Sequence, residues 1–202
     1  MQAPPTRHLA GTAQHGRGSV RAVLFLVVSM LCTGAARGQA SAAEPDVTIG
    51  RDGEAFTVTA RFEVPYPVST VFEVLSDYED IPRFMPDIQK SVVHERSGGR
   101  TVVEQEAVSR VMLFSKRVHL MLEVERTSDA LRFRDTSRRS FHRYDGAWLV
   151  SRQGTLTVVD YRLAADPVFS VPPFLIRRLL ERDAHETIDR LRAEMAVRAA
   201  GP

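Results

Sequence analysis

The sequence predicts an α+β protein: an antiparallel sheet of about seven strands curves around one long C-terminal helix, with two short helices between the first and second strands. Three observations lead there. Past Pro172-Pro173, Ile176, Leu180, Ala184, Ile188, Leu191 and Met195 recur at three- and four-residue steps, which draws one apolar stripe along a helix reaching roughly Ala199. Ahead of that helix, run after run alternates apolar with polar residues, the mark of strands with one buried face. The links between runs are short, so neighbouring strands pair as hairpins and not through βα crossovers.

Each element follows in order. Residues 43–54 are polar and acidic and read as a flexible lead-in to a domain spanning 55–200. Ala55 to Val64 alternates Phe56, Val58, Ala60, Phe62 and Val64 with polar residues, a half-buried strand ended by Pro65-Tyr66-Pro67. Ser69 is placed to cap a short helix that turns Val71, Phe72 and Leu75 inward. A second helix, roughly Tyr78 to Phe84, is closed by Met85-Pro86. Strands follow from Ile88, through the turn Ser97-Gly98-Gly99, to Thr101–Val111, where Val103, Gln105, Ala107 and Ser109 share a face. Lys116–Arg126 sends Val118, Leu120, Leu122 and Val124 inward, and a short strand runs around Leu131 and Phe133. Phe141–Ser151 presents Tyr144, Gly146, Trp148 and Val150, and its partner presents Val159, Tyr161, Leu163 and Ala165. The far side of the long helix carries Arg178, Arg182, Glu186, Asp189 and Arg192 and must face water.

The first 42 residues stand outside this pattern. They hold arginines, no acidic residue, then the apolar run Ala22–Cys32 and small residues near Ala40-Ser41-Ala42, the three-part layout of a secretory signal peptide. The run falls short of the roughly 17–25 residues that span a bilayer, so cleavage near Ala40 to Ala42 and a periplasmic or secreted protein are expected. Removing the leader takes Arg7, Arg17, Arg21 and Arg37, so 27 basic residues become 23 against 25 acidic and the net charge moves from +2 to −2. That balance gives no support to a nucleic-acid partner. The single cysteine, Cys32, leaves too, and with it any disulfide or thiolate chemistry.

Four stretches resemble the START-like, or SRPBCC, superfamily: Val64-Pro65 with Val68–Tyr78, Ile81–Ile88, Tyr144-Asp145-Gly146-Ala147-Trp148, and Thr155–Leu163 followed by Pro172-Pro173 and the closing helix. They look most like its polyketide cyclase/dehydrase and coenzyme-Q-binding branch, over about residues 55–198. The resemblance implies a helix-grip fold with an elongated apolar cavity between sheet and helix. It says little of activity, because the superfamily houses carriers, receptors and enzymes alike.

The expected ligand-binding residues are Phe84, Val103, Gln105, Ala107, Leu120, Trp148, Tyr161, Phe174, Ile176, Leu180 and Ala184. Each has an ordinary structural explanation beside it: a core tryptophan for Trp148, internal hydrogen bonds for Gln105 and the Tyr161 hydroxyl. Two loops are unusually apolar, Val111-Met112-Leu113-Phe114 and Val168–Phe174, so Leu113, Phe114 and Phe169 are candidates for transient membrane contact. No two mature histidines (His94, His119, His142, His185) sit at ligand spacing, so no metal is expected, and no phosphate loop, nucleophile elbow or dinucleotide fingerprint calls for a cofactor or a catalytic residue. The expected protein is a monomeric, non-enzymatic binder or transporter of a hydrophobic, lipid-like small molecule. The alternative is a cyclase or dehydratase on a polyketide-like or aromatic substrate, which lacks an inward carboxylate or histidine in this reading.

Overall fold

The computed structural model describes residues 43–111, 114–170 and 172–201. The expected leader and Leu113 lie outside the described residues. The strands are β1 (Asp46–Asp52), β2 (Ala55–Val64), β3 (Ile88–Ser97), β4 (Arg100–Val111), β5 (Phe114–Arg126), β6 (Ala130–Asp135), β7 (Phe141–Gln153) and β8 (Leu156–Pro167). The helices are α1 (Val68–Ser76), α2 (Ile81–Phe84) and α3 (Pro173–Ala200). All eight strands form one antiparallel sheet in the order β1-β2-β8-β7-β6-β5-β4-β3. This is the helix-grip arrangement, and α3 lies against it.

Three details differ from the expectation. Residues 46–52, expected to be a loose lead-in, form strand β1, paired with β2 from Asp46↔Arg61 to Asp52↔Ala55, so the sheet has eight strands. Val47 and Ile49 alternate there, and Ile49 is buried, enough to hold a short strand against an existing edge. Ser69 lies inside α1, which starts after Pro67 with no side-chain cap; the proline's extended backbone sets the entry instead. The expected Tyr78–Phe84 helix is a single turn, Ile81–Phe84.

The long helix does two different jobs along its length. Its C-terminal half drives Ile188, Leu191 and Met195 into a continuous core with Val71, Phe72, Val74 and Leu75 of α1 and with Phe62, Val103, Leu122, Val124 and Val159 of the sheet. Ile188 and Met195 are 0% exposed, and burying each such side chain contributes about 2 kcal/mol. Glu194, which a pure stripe reading would leave in water, is buried between Arg83 (2.5 Å) and Arg198 (2.8 Å), and Arg198 also reaches Asp77 (2.9 Å). Burial alone would push the Glu194 carboxyl up, but the hydrogen bonds from Arg198 and Arg83 outweigh it and hold it below the usual carboxylate range. This clasp pins α2 and the end of α1 to α3. The N-terminal half of α3 packs differently, with Ala184 on a smaller cluster of Ile49, Val58, Leu163 and Ala165. Among the described residues no helix is long and apolar enough to cross a membrane.

Gly146 marks a place where only glycine fits. A Cβ there would lie 2.3 Å from the Arg162 carbonyl oxygen and 2.6 Å from Phe133 Cζ. Strand β8 and the Phe133 ring therefore close over β7 at this point, which fixes the sheet's wall beside the site.

Candidate functional site

Beneath the N-terminal half of α3 the helix touches the sheet only in part, around Ala184, and beside that contact a cavity of about 640 Å³ remains. That volume is within the range of small-molecule sites. Its floor comes from inward positions of β4 and β5 (Gln105, Ala107, Val118, Leu120) and of β7 and β8 (Phe141, Tyr144, Tyr161, Leu163). Its roof is Ile176, Leu179, Leu180, Asp183, Ala184 and Thr187 of α3, and Met85, Ile88 and Phe169 complete the wall. The alternation of each strand, with period two, places every second side chain in this space.

Of the residues expected to bind, Gln105, Ala107, Leu120, Tyr161, Ile176, Leu180 and Ala184 are brought together on the cavity wall. Four are placed elsewhere. Val103 is fully buried, two positions along β4 from Gln105 on the same face, where α1 and the C-terminal half of α3 fill the space. Phe84, on α2, packs half-buried against that same core. Trp148 stacks on Tyr161, its partner across β7 and β8 on the same face, ring centroids 4.0 Å apart and 22° between planes, and braces that side chain from beside it without lining the cavity. Phe174 is 75% exposed: it precedes Ile176 by two residues, about 200° around the helix, so it points away when Ile176 points in. Of the three residues expected to contact a membrane, Leu113 is outside the described set, Phe114 is described only as the first residue of β5, and Phe169 lines the cavity half-buried with the Lys116 ammonium 5.2 Å from its ring centroid.

The polar groups of the cavity fall into two sets. Gln105 is buried, and its amide donates to Ser91 Oγ at 3.2 Å, an internal partner. In the second set Tyr144 and Asp183, neither of them a candidate from the sequence, join the expected Tyr161. Neither tyrosine hydroxyl has a hydrogen-bond partner among the described residues. Burial pushes Tyr144 up to about 12, with the charges of Asp135 and Asp183 adding to the effect. Burial first, and then Tyr144, pushes Tyr161 well above the ordinary phenol value. Asp183 stands at the rim. Arg182 Nε and its Nη2 both donate to Asp183 Oδ1, at 3.2 and 2.9 Å. Burial raises the Asp183 carboxyl, the Arg182 contact opposes that rise, and Glu186 and Asp87 add to it. The inward carboxylate missing from the strands is thus supplied by the helix. Tyr144 could have been found, since it shares a strand face with Trp148; Asp183 could not, being one residue and about 100° off the apolar stripe.

A second hollow, about 750 Å³, lies on the outer face of the sheet and is lined by Glu123, Glu125, Arg132, Arg134, Arg143 and Arg162, among others. It is larger but open and salted with ion pairs, such as Arg134 to Glu123 (2.7 Å) and Arg143 to Asp145 (2.7 Å). An apolar molecule is less sheltered there, so the more closed, mainly apolar space under α3 is the candidate site. On the outer face the fold also gathers Glu104, Glu106 and His119, whose ligand atoms lie within 4.8 Å of one another, which no sequence spacing revealed. Lys90 Nζ is already 2.8 Å from Glu104 and 4.0 Å from Glu106. Hydrogen bonds from Lys90 and His94 hold the Glu104 carboxyl down at about 2.

The eight-stranded sheet, the gripping helix and the hollow between them define a START-like helix-grip protein. The chain belongs to the family described as polyketide cyclase/dehydrase and lipid transport, whose model matches residues 64–192. Among solved structures it is similar to a STAR-related lipid transfer protein from Xanthomonas axonopodis (16% identity, TM-score 0.63, covering 76% of this chain and 94% of that one). It is also similar to a protein from Thermus thermophilus (23% identity, TM-score 0.61, 72% and 99%). A third is the Zhui aromatase/cyclase from a Streptomyces species (18% identity, TM-score 0.60, 72% and 97%). At these identities the likeness is one of fold. No curated protein sequence matches the chain.

Proposed function

We propose that the chain is a non-enzymatic carrier that holds a hydrophobic, lipid-like molecule under α3, and that it works outside the cytoplasm as a monomer. The observation that carries this reading is the cavity of about 640 Å³ whose walls are mostly Ala, Leu, Ile, Val and aromatic side chains. Such a wall attracts by burial alone: about ten methylenes at ~0.8 kcal/mol each give ~8 kcal/mol, equivalent to roughly micromolar binding before ordering costs. The secretory layout of the first 42 residues supports an extracytoplasmic site of action. Val168 and Phe174 are exposed apolar residues beside the cavity's Phe169, with Arg177 and Arg178 next to them, a lip suited to brief contact with a membrane that supplies or receives the ligand. The test is native mass spectrometry of the secreted full chain before and after incubation with a lipid extract. A lipid-sized mass increment is expected; the apo mass alone under both conditions would contradict the reading.

A second reading, a cyclase or dehydratase acting on a polyketide-like or aromatic substrate, has one observation in its favour. Asp183 and Tyr144 place a carboxylate and a phenol on the same cavity, the two groups that proton-transfer chemistry would need. Turnover of such a substrate, lost in Asp183→Asn, would select this reading over the first.

A further inference from the structure

The cavity walls are mostly apolar, but they also carry three oxygen atoms with no hydrogen-bond partner among the described residues. Asp183 receives Arg182 on Oδ1 only, which leaves Oδ2 without a donor among the described residues. The hydroxyls of Tyr144 and Tyr161 likewise have no partner, although both side chains are half-buried on the cavity wall. All three groups line this one cavity, Asp183 from α3 and the two tyrosines from β7 and β8. An ionised carboxylate only accepts hydrogen bonds, whereas a phenol both donates and accepts. None of the three oxygens is sealed from water, but a bound apolar tail displaces that water and leaves them unpaired unless the ligand itself donates to the carboxylate and accepts from a phenol.

We propose that the cavity selects apolar molecules ending in a hydroxyl group, which donates to Asp183 Oδ2 and accepts from Tyr144 or Tyr161. This rests on the carrier reading above and names the chemical class of the cargo. A hydroxyl is the smallest group that meets both requirements at once. An ionised fatty acid meets neither the geometry nor the charge: it cannot donate, and the rim presents Asp87, Asp183 and Glu186 against the two guanidiniums of Arg182 and Arg190. Those cations are engaged, Arg182 with Asp183 and Arg190 with Glu186 at 3.8 Å, so neither stands ready to neutralise an incoming anion. An ether satisfies the phenols but leaves the carboxylate without its donor.

The test uses three ten-carbon probes that share one tail: decanol, decanoate and decyl methyl ether. Each displaces an environment-sensitive naphthalene dye from the full secreted chain at about pH 8, where decanoate is ionised. Decanol is expected to bind roughly tenfold or more tighter than the other two, the size of a hydrogen bond to a charged group. Asp183→Asn removes the charge at the half-exposed rim, where folding is not at risk, and should tighten decanoate several-fold while weakening decanol. Tyr144→Phe with Tyr161→Phe should weaken decanol alone, with circular dichroism verifying the fold. Equal affinities for all three probes, unchanged by Asp183→Asn, would overturn the proposal and leave the carrier reading standing. Failure of the dye and of every probe to bind would overturn both.

Discussion

Truncating the same helix at two points distinguishes a packed core from a hollow. Ile188→Ala removes a side chain that is 0% exposed and surrounded by α1 and the sheet, and Leu180→Ala removes one that borders open space. Large-to-small changes in a filled core cost the lost transfer energy plus a cavity term, about 2–5 kcal/mol for Ile→Ala. With α1 locked against it, the site of Ile188 has little freedom to collapse, so about 3–4 kcal/mol is expected. Leu180 is half-buried, touching the small cluster around Ile49, Val58 and Leu163 while also bordering open space, so the added cavity term is small and the cost should be about 1 kcal/mol. In a domain of this size the difference of ~2–3 kcal/mol corresponds to very roughly 4–12 °C in Tm. Urea denaturation of delipidated protein gives the comparison directly, provided the denaturant slope m is the same in both variants. Equal losses at the two positions would refute the division of α3 into a packed half and a roofing half.

Three further outcomes follow from the same geometry. Ala184→Phe places a ring into the space under α3 and should abolish dye binding while the far-UV circular dichroism stays native; retained binding would place the ligand elsewhere. Gly146→Ala forces a methyl to 2.3 Å from a backbone carbonyl that cannot swing away, and should destabilise by about 2 kcal/mol or more, read as a lower urea midpoint; a neutral result would show that β7 and β8 are further apart than described. Glu104, held at about 2 in the folded protein, contributes stability that is fully present above the ordinary carboxylate pKa and is lost as pH falls from there through about 2; Glu104→Gln should flatten that part of the acid denaturation curve, and an unchanged curve would remove Lys90 and His94 as its partners.

The parts of this fold legible in the sequence are those whose pattern repeats. Strand β2 alternates without a break from Phe56 to Val64, and α3 repeats Ile176, Leu180, Ala184, Ile188, Leu191 and Met195 along one stripe, so both were readable without any partner in view. Strand β1 was not, because its seven residues hold only two apolar side chains facing the core between charged ends, and its stability derives from the edge of β2. Within the site, periodicity gives the face of a residue but not its depth. Val103 and Gln105 share a face of β4, yet one is sealed in core and the other borders the cavity, because α1 covers only part of the sheet. Phe174 shows the opposite limit: an aromatic beside an apolar stripe still lies outside it by helical phase. Asp183 and Glu194 each precede a buried residue of the stripe by one position, and only their arginine partners, Arg182 on the same helix and Arg83 from α2, decide how such a carboxylate is used.

The most direct measurement is the location of the bound tail by intermolecular nuclear Overhauser effects, using protein with labelled methyl groups and decanol. The account predicts contacts from the decyl chain to the methyls of Ala107, Leu120, Leu180 and Ala184, and none to Ala147 or Ala164 on the outer face. Contacts confined to the outer groove, or to the exposed lip alone, would contradict it.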